Sequence, residues 1–506
     1  MEKINNDLEK LYQMLDRKNI YEHACQVLSF DLETVAPEKG MADINKDLNF
    51  FTDIIYKIEK SKEFVSLVKK IKKSEDFDSL NKYDKRLVDL LYRSIERNKN
   101  ITPEIFNEAM TLFRDAYVIW LEAKKKGSYK EFAPTLEKIY KTSSLLASLE
   151  DKKEKNLYNV LFDDFEEKFT CEDLDRFFDE LEQGLVPLVK EVKASSYVPR
   201  HDFIKRKVPI AKQEEFSRYL LQLNGFDFKR GSLSTTEHPF TSQLSYNDVR
   251  VTTHYYEDNF ISNMYSIIHE GGHAIFGQNV PKEMFAHRLS EGSLSMGKHE
   301  SVSRFYENVI GRSREYITLI YPEFKRIFKE EFPDVSLDDL YEGVNYVDFN
   351  NTIRTEADEL TYSLHILIRY RLERMIMDGK ADFSTLNKKW NEMYKKILDV
   401  DVENDREGIL QDVHWTSGFG YFPTYAMGNA LNCIYLKKLK KDMNLSEEIL
   451  SGHLDNILKW MKKNVFLNAP LLDTKTWIKK MTKEDFSCRA YIDYLTVKFK
   501  DLYKIK

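Results

Sequence analysis

The amino-acid sequence predicts a mainly α fold, formed by one compact helical body of two lobes with a small β-sheet. Two observations carry this prediction. Apolar residues recur every three or four positions over most of the chain, which is the spacing of an amphipathic helix. A single segment, near residue 250, alternates apolar and polar residues as a strand does. The 506 residues contain no internal repeat and no low-complexity linker, so we expect residues 1–506 to form a single domain.

Helical periodicity begins at the N-terminus, where Ile4, Leu8, Leu11 and Leu15 share one face among charged residues. The same pattern continues in further segments, at residues 48–71, 85–95, 113–126 and 211–223. We therefore predict that the first 200 residues are mostly helical. Residues 201–506 are predicted to carry the functional site, for the reasons that follow.

The predicted strand covers residues 249–253, within a stretch at 229–256 that is rich in Ser, Thr and Val. Helical periodicity resumes near Phe260 and continues to about Asp401. Residues 413–436 then contain no Asp, Glu, Lys or Arg, although 32% of the chain is charged. Glycines and a proline interrupt this segment, so it is not a membrane span. We predict a loop that forms the wall of a cleft, or else a buried loop without a chemical role.

Composition excludes several classes of protein. With 42% hydrophobic and 13% aromatic residues, the chain is too apolar to be disordered. A net charge of −6 argues against nucleic acid as a partner. The four cysteines are widely spaced, which argues against a thiolate zinc site or a disulfide-stapled secreted domain. The N-terminus lacks the apolar core of a signal peptide, and no membrane span is visible, so we expect a cytoplasmic protein.

The strongest signal is the sequence H-E-G-G-H at residues 269–273, an H-E-x-x-H motif. Residues four apart on a helix lie on one face, so His269 and His273 can bind one metal ion. Glu270 can then serve as a general base towards the attacking water. With 11 histidines in the chain, chance produces this motif about 0.02 times.

Catalytic zinc usually takes three protein ligands, so a third is needed. Glu300, in the cluster at 299–304 downstream of the motif, is the candidate, and His287, Glu291 and His299 compete with it by spacing alone.

Further segments extend the pattern in a fixed order. They are F-D-x-E-T at 30–34, H-P-F at 238–240, D-x-R-x-T at 248–252, H-E-S-x-S-R at 299–304, I-R-x-x-A-D at 353–358, G-x-x-Q-D-x-H-W at 408–415, and Y-F-P-T-Y with G-N at 421–429. Together with H-E-G-G-H, they resemble the carboxypeptidase Taq (M32) family of metallocarboxypeptidases. Phe30 stands where the family usually has Trp, and Val302 where it commonly has Gln.

The resemblance implies a neurolysin-like helical fold around a deep substrate groove, with the small sheet near the active site. It assigns His269, His273 and Glu300 as ligands of Zn²⁺, for which Co²⁺ is a substitute, and Glu270 as general base and acid. It also implies a homodimer that releases single amino acids from the C-terminus of peptides.

The charge-free segment offers donors for the oxyanion of the transition state, namely His414, Tyr421 and Tyr425. Resemblance to other groove peptidases favours His414 with Tyr425, and we assign Tyr421 to substrate contact. Recognition of a free carboxylate calls for arginine. Arg354 is the leading candidate and Arg250 the second, because both lie within the motifs.

Each arginine has a structural alternative, as an ion-pair partner of Asp358 or Asp248 respectively. Two other functions stay open at this stage. An oligopeptidase would share the metal centre without the carboxylate clamp, and an inactive zinc-binding protein would have no use for a base at Glu270.

Overall fold

A computed structural model describes residues 2–289 and 294–506. About 69% of the chain is helical and one small sheet is present, which confirms the mainly α prediction. In chain order, the first helices are α1 (Glu2–Thr34), α2 (Met41–Glu59), α3 (Lys62–Lys72), α4 (Lys82–Arg97), α5 (Pro103–Lys126), α6 (Tyr129–Glu150), α7 (Leu157–Asp163), α8 (Cys171–Lys193), α9 (Ile210–Leu223), α10 (Phe260–Asn279) and α11 (Lys282–Ala286).

The remaining helices follow in the C-terminal half. They are α12 (Met296–Arg304), α13 (Arg314–Ile327), α14 (Leu337–Val344), α15 (Tyr362–Met377), α16 (Leu386–Leu398), α17 (Pro423–Asp442), α18 (Leu445–Leu450), α19 (Leu454–Met461), α20 (Thr474–Thr482) and α21 (Arg489–Leu502). None of the helices in the described part of the chain has the length and apolarity needed to cross a membrane.

The three strands are β1 (Gly231–Thr235), β2 (Thr241–Ser245) and β3 (Asp248–Thr253). The central strand is β3, which pairs parallel to β1 and antiparallel to β2. It confirms the strand predicted at 249–253. The sequence did not resolve β1 and β2 as separate strands, because both are five residues long, rich in Ser and Thr, and mostly half-buried.

Contacts divide the chain into two compact units, each built from three separate segments. Unit 1 comprises Met1–Arg97, Val208–Leu294 and Leu454–Leu471. Unit 2 comprises Asn98–Lys207, Ser295–His453 and Leu472–Lys506. The single-domain assignment of residues 1–506 stays a prediction.

In unit 1, the predicted apolar face of α1 packs on α3, and its Ile4, Leu8 and Leu11 join residues of α3 and α4 in one buried cluster. Helix α10 packs against β3 and α9. At Gly271, an added Cβ would lie 2.9 Å from a methyl group of Leu221 on α9, so glycine permits this close approach.

In unit 2, the charge-free segment is a helix over most of its length. The sequence predicts a loop at residues 413–436, but Pro423–Asp442 forms α17, so the prediction is wrong beyond residue 422. A proline in the first turn suits a helix start, since that position needs no N–H donor. Residues 426–436 of α17 are all buried, and a helix buried on every side has no solvent face on which to place charges.

Helix α15 crosses the core of unit 2 and carries an acid there. Glu373 is 1% exposed, accepts a hydrogen bond from the hydroxyl of Tyr158 at 2.7 Å, and accepts another from the backbone N–H of Gly420 at 3.2 Å. Burial raises the pKa of Glu373 from 4.5 to about 8. At neutral pH this side chain is therefore mostly protonated.

We expect the free energy of unfolding to fall as the pH rises from 4.5 to about 8. The folded state holds a proton on Glu373 that the unfolded state releases between pH 4.5 and 8. Between pH 5 and 8 this proton linkage lowers the free energy of unfolding by about 3 kcal/mol. In Glu373→Gln, which has no proton to release, this pH dependence should be absent. Urea unfolding of the metal-free protein at several pH values measures it. If the free energy of unfolding depended on pH equally in the wild type and the variant, Glu373 would not be the group that holds the proton.

Candidate functional site

Helix α10 places the two motif histidines on one face. The side chain of Asn259 accepts a hydrogen bond from the backbone N–H of Ser262 and so caps the start of the helix. The rings of His269 and His273 have centroids 5.0 Å apart, and their ligand nitrogens lie within 4.8 Å of each other. This pair therefore fits the metal that the motif predicts.

Glu270 lies between these histidines in sequence and is 7% exposed. The hydroxyl of Thr241, the first residue of β2, lies 2.7 Å from a carboxylate oxygen of Glu270 and 2.9 Å from its carbonyl oxygen. The sheet thus helps to orient the predicted base. Sequence analysis missed Thr241, whose signal was its position directly after the H-P-F motif.

Glu300 lies on α12 in unit 2 and is also 7% exposed. Its Oε1 accepts a hydrogen bond from Nε of Arg304 at 2.7 Å, and Oε2 accepts one from the hydroxyl of Ser303 at 3.2 Å. Both donors belong to the H-E-S-x-S-R motif. They follow Glu300 by three and four residues, so they lie one helical turn away on the same face. Val302, at the position where the family commonly has Gln, is a buried apolar residue.

Two neighbours fix the position of α12 within unit 2. Glu166, which is fully buried, accepts a hydrogen bond from the backbone N–H of Gly297 at 3.2 Å. Helix α17 packs closely on α12 at Gly428, where an added Cβ would lie 2.7 Å from Cγ of Glu300. Only glycine allows this approach, which accounts for the glycine in the G-N end of the last motif.

Two of the other residues considered as the third metal ligand are His287 and Glu291. His287 in unit 1 lies 3.0 Å from a carboxylate oxygen of Asp84 and 2.8 Å from the hydroxyl of Tyr12, both measured from Nδ1. The His287 ring also stacks on Tyr83. Glu291 lies outside the described residues.

Arg354 lies in a short 3₁₀ turn that precedes α15. It is 7% exposed. Its Nε donates to Asp412 at 2.8 Å and its Nη1 to the hydroxyl of Tyr362 at 3.3 Å. The guanidinium carbon lies 4.9 Å from the ring centre of Tyr425. Within the described chain, Nη2 has no hydrogen-bond partner.

The ion-pair partner of Arg354 is Asp412, and not Asp358 as the sequence suggested. Asp412 also binds Arg369, a fully buried residue that sequence analysis missed. Although burial opposes its charge, the two arginines hold the pKa of Asp412 below its usual value. Asp358 instead accepts hydrogen bonds from the backbone N–H groups of Leu360 and Thr361, and so shapes the turn into α15.

His414 and Tyr425 form a pair in unit 2, with 3.1 Å between Nε2 and the hydroxyl oxygen. Burial and the charge of Arg354 lower the pKa of His414 to about 4, so the imidazole is neutral at pH 7. Its Nδ1 has no hydrogen-bond partner among the described residues and lies 3.9 Å from Oδ1 of Asp412. Burial raises the pKa of Tyr425, whose hydroxyl therefore keeps its proton. The ring of Tyr421 lies 5.3 Å from the rings of both.

Arg250 lies on β3 in unit 1 and forms the ion pair that the sequence offered as an alternative. Its Nε and Nη2 donate to the two oxygens of Asp248 at 3.0 and 2.8 Å. The guanidinium also lies 5.1 Å from the ring centre of Phe30, the residue at the usual Trp position. The planar fork of Arg250 is thus occupied by its neighbour.

Comparisons with known proteins agree with these motifs. The model of the carboxypeptidase Taq (M32) metallopeptidase family matches residues 10–499. Carboxypeptidase 1 of Bacillus subtilis is 36% identical over 98% of both chains. Thermostable carboxypeptidase 1 of Pyrococcus furiosus is 34% identical over 94% of this chain and 95% of its own.

A solved structure shares the fold as well. The M32 carboxypeptidase from Deinococcus radiodurans R1 superposes with a TM-score of 0.94 at 28% identity, over 99% of this chain and all of the other. The matches to the family model and to its members extend over nearly the whole sequence. The chain therefore belongs to the carboxypeptidase Taq (M32) metallopeptidase family and is a metallocarboxypeptidase.

Proposed function

We propose that this enzyme releases single amino acids from the C-terminus of peptides, with His269, His273 and Glu300 as the ligands of one Zn²⁺ ion. Two imidazole nitrogens and one carboxylate oxygen are a donor set that catalytic zinc takes. The observation that carries the proposal is the pairing of His269 and His273 on one face of α10, beside the buried carboxylate of Glu270. When bound, the ion would polarise the scissile carbonyl and lower the pKa of the attacking water.

Glu270 is proposed as general base and then general acid. A carboxylate suits both steps because it accepts a proton from the water and returns it to the leaving amine. The hydroxyl of Thr241 supports this role, since its hydrogen bond limits rotation of the Glu270 side chain.

His414 and Tyr425 are proposed to stabilise the oxyanion. A neutral imidazole and a protonated phenol can each donate a hydrogen bond, and both groups are held in these forms by burial. Tyr421 is proposed to contact the substrate, because its ring packs beside both residues.

Arg354 is proposed to bind the C-terminal carboxylate of the substrate. Asp412 and Tyr362 hold its Nε and Nη1, which leaves Nη2 as the donor towards a ligand. Arg250 is the weaker candidate, because Asp248 already occupies its fork.

The finer assignments rest on the sequence. Zn²⁺, with Co²⁺ as a substitute, and a homodimeric state follow from the family resemblance. A cytoplasmic location is supported by the free cysteines Cys25, Cys171, Cys433 and Cys488, since disulfides are rare in reducing compartments.

We expect Glu270→Gln to bind zinc normally and to lose at least a thousandfold in kcat, because glutamine cannot accept a proton. Zinc content per chain and peptide hydrolysis measure the two properties. Glu283→Gln, on the exposed side of α11, is the matched control and should retain full activity. Hydrolysis near the wild-type rate in Glu270→Gln would refute the proposed mechanism.

We expect the wild-type enzyme to cleave a peptide with a free C-terminal carboxylate at least a hundredfold faster than its C-terminal amide. Arg354→Lys keeps a charge beside Asp412 but lacks the planar fork, so KM for the free peptide should rise roughly ten- to a hundredfold.

Arg250→Lys is the comparison variant, and its KM should stay within about threefold of the wild-type value, since only the pair with Asp248 and the contact with Phe30 change. The reverse ranking of the two variants would exclude Arg354 as the clamp. Equal cleavage of acid and amide would instead indicate an oligopeptidase.

We expect His414→Phe to lower kcat by roughly 10²- to 10³-fold while zinc affinity is unchanged, because a phenyl ring donates no hydrogen bond to an oxyanion. His453→Phe tests the same substitution at an exposed site and should behave as wild type. A kcat for His414→Phe within threefold of the wild-type value would remove this residue from the mechanism.

A further inference from the structure

Tyr362 is the first residue of α15, is 3% exposed, and contacts two arginines of unit 2. The guanidinium carbon of Arg304 lies 4.1 Å from the centre of its ring. The Nη1 group of Arg354 donates to its hydroxyl at 3.3 Å. Tyr362 thus contacts the guanidinium group of Arg304 with its ring and that of Arg354 with its hydroxyl.

Each of these arginines serves a different proposed function. Arg304 donates through Nε to the carboxylate of Glu300, the proposed third metal ligand, and through Nη1 to Glu307 at 3.0 Å. Arg354 is the proposed clamp for the substrate carboxylate. The inference below therefore rests on the proposed function and extends it to a residue that touches neither the metal nor the peptide.

The ring and the hydroxyl constrain the arginines in different ways. A guanidinium stacked on an aromatic face is attracted by the ring quadrupole and loses freedom to tilt, which fixes the direction of the Nε–H bond of Arg304. The Arg354 guanidinium is fixed at Nε by Asp412 and at Nη1 by the hydroxyl of Tyr362. Two anchors on one planar group determine where Nη2 lies.

The backbone holds Tyr362 itself in place. Its N–H donates to the carbonyl oxygen of Asp358 at 3.0 Å, and the Asp358 carboxylate accepts the N–H groups of Leu360 and Thr361, each at 3.0 Å. The last residue of the I-R-x-x-A-D motif thus sets the entry of the chain into α15.

We propose that Tyr362 is a positioning residue with two separable parts. Its ring orients Arg304 and through it the metal ligand Glu300, and its hydroxyl orients Arg354 for the substrate carboxylate. Removal of the hydroxyl should change substrate affinity alone, and removal of the ring should also weaken metal binding.

Three variants separate these roles. Tyr362→Phe keeps the ring, so KM for a peptide with a free C-terminus should rise five- to tenfold, with kcat and zinc affinity within twofold of wild type. Tyr362→Leu should show the same rise in KM and a tenfold loss of zinc affinity, measured on the metal-free protein by competition with a chelator. The control is Tyr370→Phe on the same helix, which loses a hydroxyl bonded to Asp175 and should change neither property.

A double-mutant cycle tests whether the hydroxyl acts through Arg354. In an Arg354→Lys background, Tyr362→Phe should add less than twofold to KM. An additive effect, or a KM for Tyr362→Phe equal to that of Tyr370→Phe, would overturn the role of the hydroxyl.

Unchanged zinc affinity in folded Tyr362→Leu would overturn the role of the ring. If Tyr362→Leu does not fold, Tyr362→Met tests the same contact, because methionine fills the space without an aromatic face and leaves the bond between Arg304 and Glu300 in place. Zinc affinity should again fall tenfold. These outcomes differ from a failure of the proposed function, in which the wild-type protein itself would bind no zinc or release no C-terminal residue.

Discussion

Three buried carboxyl groups, and the donors that each one needs, organise the proposed site. Glu270, Glu300 and Asp412 are each less than 9% exposed, and a buried carboxylate without donors would cost several kcal/mol. Each carboxylate is held by donors of its own unit. Thr241 contacts Glu270, and Arg304 donates to Glu300. Arg354 and Arg369 bind Asp412. These donors fix the carboxylates in advance, so little reorganisation remains for metal binding or catalysis.

The sequence predicted those features that local spacing determines. Helical periodicity found most helices, and alternation found β3. The H-E-x-x-H spacing placed His269 and His273 on one helical face, because residues four apart always meet there. The motif resemblance identified the family, which the comparisons confirm over residues 10–499.

The sequence could not predict features that depend on long-range packing. The charge-free segment looked like a loop because Gly428 and its neighbours resemble loop residues, but the glycine permits the contact with Glu300 on another helix. The partner of Arg354 was expected four residues away at Asp358, and the fold instead brings Asp412 to it. The proposed role of Tyr362 leaves no helical pattern in the sequence, since Arg354 lies in the turn before α15 and Arg304 lies on α12.

The central claim is that two imidazoles and one carboxylate bind a single catalytic ion. Anomalous diffraction at the zinc absorption edge, from crystals of the zinc-loaded enzyme, tests it most directly. We expect one strong peak per chain, about 2.0–2.2 Å from a nitrogen of His269, a nitrogen of His273 and an oxygen of Glu300. A peak bound to other residues, or one that Glu300 does not contact, would contradict it.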